Sequence, residues 1–147
     1  MASGASGDFG RLTGTIAALR SLARIPSRVA AVAAPELTSR MQSDTNAGQD
    51  PYGRGYAPHM PATIKRWGVH QLLRMSGAGI DSLKATPMAG AGIALEGASH
   101  MNFTQAGTPT QEVRAVMPNN PSLPKAWNAI LERASEKALT EALKVAK

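Results

Sequence analysis

Residues 81–97 read DSLKATPMAGAGIALEG, and this stretch sets the fold class that the sequence predicts. The run around Leu83 and the run around Leu95 each alternate apolar with less apolar residues, which is the period of a half-buried strand. A glycine-rich turn separates the two runs. The pattern predicts a β-hairpin that pairs roughly 81–88 with 92–97. Because the long periodic segments towards both ends of the chain are helical, we expect an α+β fold.

A third strand is predicted just after the hairpin. Val113, Ala115 and Met117 alternate with Glu112 and Arg114, again with the period of two that strands show. The prolines and asparagines that follow end this segment. We therefore expect a small antiparallel sheet of about three to four strands.

The C-terminal segment predicts a long amphipathic helix over 122–147. Ser122 is suited to cap it, and Pro124 is tolerated in a first helical turn. The apolar residues recur at helical spacing while the charged residues lie mostly off their row. That row contains Trp127, Ile130, Leu131, Ala134, Ala138, Leu139, Ala142 and Leu143. We expect this helix to pack on the sheet.

The N-terminal segment predicts a helical arm over 8–47. Asp8 is a plausible N-cap for a helix near 8–23, and Pro26 is a good first-turn residue for a second helix. Pro35 lies inside the second helical pattern, where it removes a hydrogen bond and crowds the preceding turn. We favour a kinked helix there, the alternative being a helix that starts afresh at Pro35.

A turn-rich connector over 48–68 links the arm to the rest, beginning with GQDPYGRGYAP. We expect an ordered loop with a helical turn near its end. The whole chain of 147 residues fits one domain. It comprises a flexible tail (1–7), the arm (8–47), the connector (48–68), a sheet region (69–121) and the C-terminal helix (122–147).

The connector also offers the candidate contact residues. Tyrosine, tryptophan and arginine are enriched at the centres of protein interfaces. Tyr52, Arg54, Tyr56 and Trp67 bring these types together in one loop. We predict that they form a protein-contact surface, and a purely structural role for the two tyrosines is the alternative.

Composition argues against most chemical functions. Cysteine is absent, which excludes disulfides, thiolate metal sites and a cysteine nucleophile. The three histidines have no metal-ligand spacing, and the carboxylates form no adjacent pair. Ser122 and Lys125 spell S-x-x-K, but the companion motifs of that enzyme class are missing. We expect no enzyme activity, no cofactor and no metal, and a hydrolase built on His70 or His100 is the remote alternative.

Charge and targeting signals narrow the class further. The formal net charge is +6, and the basic excess is spread along the sequence rather than gathered in one run. Spread charge disfavours a dedicated nucleic-acid binder, although folding can bring distant charges onto one face. The sequence carries no signal-peptide pattern and no apolar run of about 18 residues. We expect a protein that stays in the cytoplasm and has no membrane partner.

Several segments, taken in order, resemble the tailed-phage virion morphogenesis proteins, which are related to the tail-completion and neck proteins. The resemblance covers about the whole chain beyond residue 10. Its segments are RIPSRVA (24–30), DPYGRGYAP (50–58) with Thr63, LLRMSG (72–77), DSL (81–83), FTQAGT (103–108), MP (117–118) and LPKAW (123–127). Tyr56 stands where that family usually has tryptophan, Thr104 where histidine is common, and Asn119 and Asn120 where arginines are usual.

The resemblance implies a structural role. Such proteins complete the tail and help to join it to the DNA-filled head, commonly as ring-forming subunits. The implied partners are other copies of the chain and neighbouring neck, portal-adaptor or tail-tube proteins, with non-specific contact to DNA in the lumen. The implied location is the virion, assembled in the host cytoplasm. The alternative function is a small DNA-binding or packaging accessory protein.

Overall fold

The computed structural model describes residues 9–69, 77–90, 92–108 and 113–145. Over these ranges the chain forms helices and one pair of strands. In chain order they are α1 (Phe9–Ala23), α2 (Ile25–Asn46), α3 (Pro61–Trp67), α4 (Ala78–Asp81), β1 (Lys84–Pro87), β2 (Ile93–Glu96), α5 (Met101–Ala106) and α6 (Lys125–Val145). Asp8 and His70 lie outside the described residues.

The predicted helical arm is present as two helices that meet at Arg24. The backbone of Arg24 is itself in the right-handed helical region, and the amide of Arg28 donates to its carbonyl at 3.1 Å. The amide of Arg24 donates to the carbonyl of Ser21 at 3.2 Å, three residues back instead of the four of an α-helix, so one tight turn separates α1 from α2. Pro35 lies inside α2, which continues as one helix to Asn46. The alternative of a new helix starting at Pro35 is therefore wrong.

The β-hairpin is present and shorter than predicted. β1 and β2 pair antiparallel, with Lys84 opposite Glu96, and the amide of Met88 donates to the carbonyl of Gly92 at 2.8 Å. Asp81, which the alternation placed in the first strand, belongs instead to the short helix α4.

Helix α2 closes the outer edge of β1. The amide of Ala85 donates to the hydroxyl of Thr38 at 2.8 Å, and the Gln42 side chain donates to the carbonyl of Leu83 at 3.1 Å. Pro87, at the end of the strand, has no amide hydrogen to offer. Since a bare strand edge invites further pairing, these contacts protect this side of the hairpin.

The predicted third strand is wrong: the sheet in the described part of the chain has two strands. Residues 113–117 carry the alternating pattern, but their backbone bonds mostly to side chains. The amides of Val116 and Met117 donate to the side-chain oxygen of Gln105 at 2.8 and 2.9 Å. The Gln105 amide group returns a bond to the carbonyl of Met117 at 2.9 Å. The segment is thus held by one glutamine of α5 rather than by a neighbouring strand.

The C-terminal helix is confirmed, with a later start than predicted. It begins at Lys125, and the carbonyl of Pro124 accepts the amides of Trp127 and Asn128, both at 3.0 Å. Ser122 does not cap it, because the Ser122 hydroxyl bonds to the side chain of Asn120 at 3.2 Å.

One hydrophobic core joins these elements. α2 contacts β1 on one side and α6 on the other, and Glu36 of α2 forms an ion pair with Arg133 of α6. Trp127 and Ile130 of α6 belong to the same buried cluster as Leu83 and Ala85 of the hairpin. The α+β fold, with the C-terminal helix packed on the sheet, is therefore confirmed. The other members of the cluster are Ala33, Ala34, Leu37, Met41, Met101, Val116 and Ala134.

Candidate protein-interface surfaces

The side chain of Asp50 holds the start of the connector in a compact turn through several hydrogen bonds, and we call residues 50–54 the Asp50 turn. Its buried carboxylate accepts the amides of Tyr52 and Arg54, each at 2.9 Å, and the Nε of Arg54 at 2.7 Å. The amide of Asp50 donates to the carbonyl of Arg54 at 2.8 Å, and that of Gly53 to Asp50 at 2.9 Å. Gly53 has φ of 82°, a conformation that glycine adopts without strain. The aspartate side chain therefore closes the turn that the sequence DPYGRG predicts.

Tyr52 and Tyr56 connect the Asp50 turn to the segment before α6 through hydrogen bonds of their hydroxyl groups. The Tyr56 hydroxyl donates to the carbonyl of Ala115 at 2.9 Å. The Tyr52 hydroxyl donates to the carbonyl of Ser122 at 3.1 Å and accepts the amide of Asn120 at 3.2 Å. Both phenols thus bond within the chain, which supports the structural alternative for the tyrosines.

Arg114 strengthens the same junction and was missed by the sequence analysis. Its guanidinium is buried with the residue and donates to the carbonyls of Ala57 and Pro58 at 3.2 and 3.1 Å. Its own amide donates to the carbonyl of Thr104 at 2.7 Å. The sequence signal for this contact was an arginine inside an alternating apolar segment. A charged side chain that is buried with such a segment needs fixed polar partners.

The side chains of Arg54 and Trp67 are exposed to solvent, whereas those of Tyr52 and Tyr56 are half-buried. The Arg54 side chain is 70% exposed even though it pairs with Asp50, and its guanidinium lies 5.4 Å from the centre of the Tyr52 ring. Trp67 is 56% exposed. The structure brings Tyr52, Arg54 and Tyr56 together around one loop and places Trp67 separately, at the end of α3.

The helix α3 carries an apolar surface with no cover from the described fold. Met60, Ile64 and Trp67 recur at spacings of four and three, so they share one side of the helix, and Val69 follows directly. All four are exposed, and α3 buries none of its residues. We call these four residues the α3 surface. Large exposed apolar clusters on small proteins mark sites of interaction.

A second exposed apolar group lies where α1 meets α6. Ile16, Leu19 and Leu22 of α1 and Leu139 and Leu143 of α6 are exposed, and the two helices are in contact. Both leucines of α6 belong to the apolar row that was expected to pack on the sheet. In the structure the alanines at 134, 138 and 142 are buried in this part of the helix. The rest of the fold covers only part of the apolar row, so the two leucines stay exposed. We call these five residues the arm surface.

A groove of about 760 Å³ runs between α2 and β1. Ala31, Ala34 and Pro35 supply much of its apolar wall. Its best-placed polar groups, Thr38 and Gln42, already bond to the backbone around β1. Thr38 and Gln42 are therefore committed to holding the hairpin, while Asp81 and Lys84 also line the groove. Among the described residues, no group of three or more potential ligands could hold a metal ion.

Tyr56 gives a testable pH dependence. Burial raises the pKa of Tyr56 to about 12, whereas an unfolded tyrosine ionises near about 10. The resulting stabilisation is complete below about pH 10 and is lost as the pH rises through about 12. Because the chain has 2 tyrosines, the Y52F variant should show a single tyrosinate transition, with an ultraviolet midpoint near 12.

The matched variant for this prediction is Y56F. Its free energy of unfolding should fall less steeply than that of the wild type across the same alkaline range. A midpoint near about 10 in Y52F, the value for a phenol in water, would contradict the buried position of Tyr56.

Comparison with known proteins adds no relative. Within the described residues, no helix is both long and apolar enough to span a bilayer. No protein-family model, curated protein or solved structure matches the chain.

Proposed function

We propose that this chain is a structural subunit of the neck or proximal tail end of a tailed phage. In this role it forms a ring with copies of itself, completes the tail and joins it to the DNA-filled head. The α3 surface, with exposed Trp67 at its centre, is the observation that supports the proposal most directly. The order of family-like segments in the sequence supplies the phage context.

The α3 surface has the composition of an interface centre. Trp67 is accompanied by Arg66, whose guanidinium lies 5.1 Å from the centre of the indole ring. Tryptophan and arginine are the residue types that most often dominate binding energy. A helix that buries nothing in its own subunit gains its stability when a partner covers it. We therefore assign the α3 surface to contact with a neighbouring subunit.

A ring requires two different contact surfaces on each subunit. In a heterologous assembly, one patch of a copy meets a different patch on the next copy, and closure of the rotation limits the number of copies. The arm surface supplies a second exposed apolar patch on other elements, α1 and α6. The pair of surfaces thus supports head-to-tail association more than a symmetric dimer.

The first experiment is complementation of a phage that lacks the gene. Without the protein, electron microscopy should show full heads and separate tails, and wild-type protein should restore joined particles. The I64S/W67S variant should fail to restore them and should run as a monomer in light scattering. At a protein concentration low enough for the wild type to be monomeric, its free energy of unfolding should stay within about 0.5 kcal/mol of the wild type, because both side chains are then on the surface.

The matched control is M88S, which removes another exposed apolar side chain from the hairpin turn. It should support joining and oligomer formation as the wild type does. Joined, infectious particles in the absence of the gene would refute the neck role. Normal joining by I64S/W67S would refute the assignment of the α3 surface.

A further inference from the structure

Three arginines form a regular row along the helical arm. Arg20 of α1, Arg24 of the turn between the helices and Arg28 of α2 are four residues apart, and the backbone of Arg24 keeps right-handed helical angles. Residues at this spacing share one side of a helix. Arg20 and Arg24 are exposed, and Arg28 is half-buried. The sequence contains no aspartate or glutamate between Asp8 and Glu36, so no carboxylate within this stretch neutralises the row.

The row differs from the other arginines that have partners. Arg40, Arg54 and Arg133 each pair with a described carboxylate. No such ion pair involves Arg20, Arg24 or Arg28 anywhere in the described ranges. The row is therefore a local excess of positive charge within residues 20–28, which the even distribution over larger parts of the sequence conceals.

We propose that Arg20, Arg24 and Arg28 form a contact track for the phosphate backbone of double-stranded DNA. A rise of about 1.5 Å per residue separates neighbouring members of the row by about 6 Å along the arm. The row spans about 12 Å, over which duplex DNA presents about seven phosphate charges at one per about 1.7 Å. Each guanidinium can therefore reach a different phosphate, and its planar fork suits bidentate phosphate contacts.

DNA fits this row better than a membrane does. A helix that lies on a bilayer needs an apolar face free to enter the lipid. α2, which carries Arg28, buries its apolar side against α6 and the hairpin through residues such as Leu37 and Met41. The exposed apolar residues of α1 belong to the arm surface, which the proposed ring contact covers. A phosphate backbone requires only the exposed charged side. The inference rests on the proposed neck role, in which DNA from the head passes the subunit.

The test is the salt dependence of binding to a labelled DNA duplex of arbitrary sequence, followed by fluorescence anisotropy. The wild type should bind at about 50 mM salt and lose affinity steeply towards about 200 mM. The R20Q/R24Q/R28Q variant should lower the slope of log K against log salt by about 2.7, or about 0.9 for each lost phosphate contact. R20K/R24K/R28K keeps the charges and should keep most of the slope.

The matched control is K65Q/K84Q/K125Q, which removes the same charge from three exposed lysines on α3, β1 and α6. It should leave the slope within about 0.5 of the wild type if the row makes the contacts. An equal loss of slope in both triple variants, or no wild-type binding at about 50 mM salt, would overturn the proposal. If the arginine triple variant fails to fold by circular dichroism, R20Q and R24Q alone should each lower the slope by about 0.9.

Two further readouts separate the neighbouring interpretations. Tighter binding to phosphatidylserine vesicles than to DNA at equal salt, lost in the arginine variant, would reassign the row to a membrane and overturn the proposal. DNA binding through the row, together with normal head–tail joining in a phage that lacks the gene, would uphold the track. It would then favour the accessory DNA-binding role over the neck role.

Discussion

Replacing Trp127 with alanine should lower the free energy of unfolding by about 3–5 kcal/mol, the range for removing a large aromatic side chain from a core. Trp127 is 3% exposed and belongs to the cluster that joins α2, the hairpin and α6. Its loss leaves a cavity at the point where these three elements meet. Because the indole Nε1 has no hydrogen-bond partner among the described residues, W127F should cost much less: phenylalanine fills most of the space and removes that buried polar group.

The second tryptophan of the chain provides the control. W67A should change the free energy of unfolding by less than about 0.5 kcal/mol, since Trp67 is exposed and α3 buries nothing. Urea denaturation of W127A, W127F and W67A at one protein concentration gives the comparison. Equal losses for W67A and W127A would contradict the assignment of one tryptophan to the core and the other to the surface.

Replacing Asp50 with alanine should cost about 2–4 kcal/mol, the next largest effect that we expect. The carboxylate is buried and accepts two backbone amides as well as the Arg54 Nε. Hydrogen bonds to a charged group are worth about 1.5–3 kcal/mol. The Arg54 bond contributes less, because the Arg54 side chain is mostly in solvent. The loss should therefore come mainly from the two amides.

Loss of the hydrogen bonds to Asp50 should also release the contacts that Tyr52 makes with the segment before α6. D50N keeps one acceptor oxygen and should lose about half as much stability as D50A, on the same scale for a charged hydrogen bond. D81A removes an exposed aspartate from α4 and should change stability by less than about 0.5 kcal/mol. A D50A loss as small as that of D81A, measured by urea denaturation, would show that the turn holds without its aspartate.

The long helices α1, α2 and α6 could be predicted from sequence because their signals are local, whereas the short helices α4 and α5 were not predicted. Pro26 and the apolar spacing after it mark α2, and the alternation on either side of the glycine-rich turn marks β1 and β2. Apolar periodicity reports which residues face the interior, and these elements each satisfy most of their backbone internally or with the adjacent strand. The class of fold follows from these elements alone.

The third strand failed because periodicity does not report the backbone's partners. Ala115 is buried as the alternation predicts, but its neighbours Arg114 and Val116 are buried too and Val113 is exposed, so the burial does not alternate. The carbonyl of Ala115 and the amide of Val116 meet the side chains of Tyr56 and Gln105, which are distant in sequence. No local pattern distinguishes a glutamine whose side chain bonds to the backbone of another segment, as a neighbouring strand would, from a glutamine on a surface helix.

The contact residues of the connector were also predicted only in part. Composition identified the connector as the place where aromatic and arginine side chains gather, and Arg54 and Trp67 are indeed exposed. Composition could not show that Tyr52 and Tyr56 turn inward, because their partners lie about sixty to seventy residues later in the chain. The apolar row on α3 was within reach of the sequence, since Met60, Ile64 and Trp67 have helical spacing.

The position of α2 between β1 and α6 has a consequence for how the protein is made. α6 begins about 80 residues after α2 ends, and ribosomes add about 5–20 residues per second. The contacts that α2 makes with α6 can therefore begin to form only about 4–16 s after α2 is complete in each round of translation. During that interval the nascent arm offers an apolar helix face to the chaperones and to other nascent chains around it.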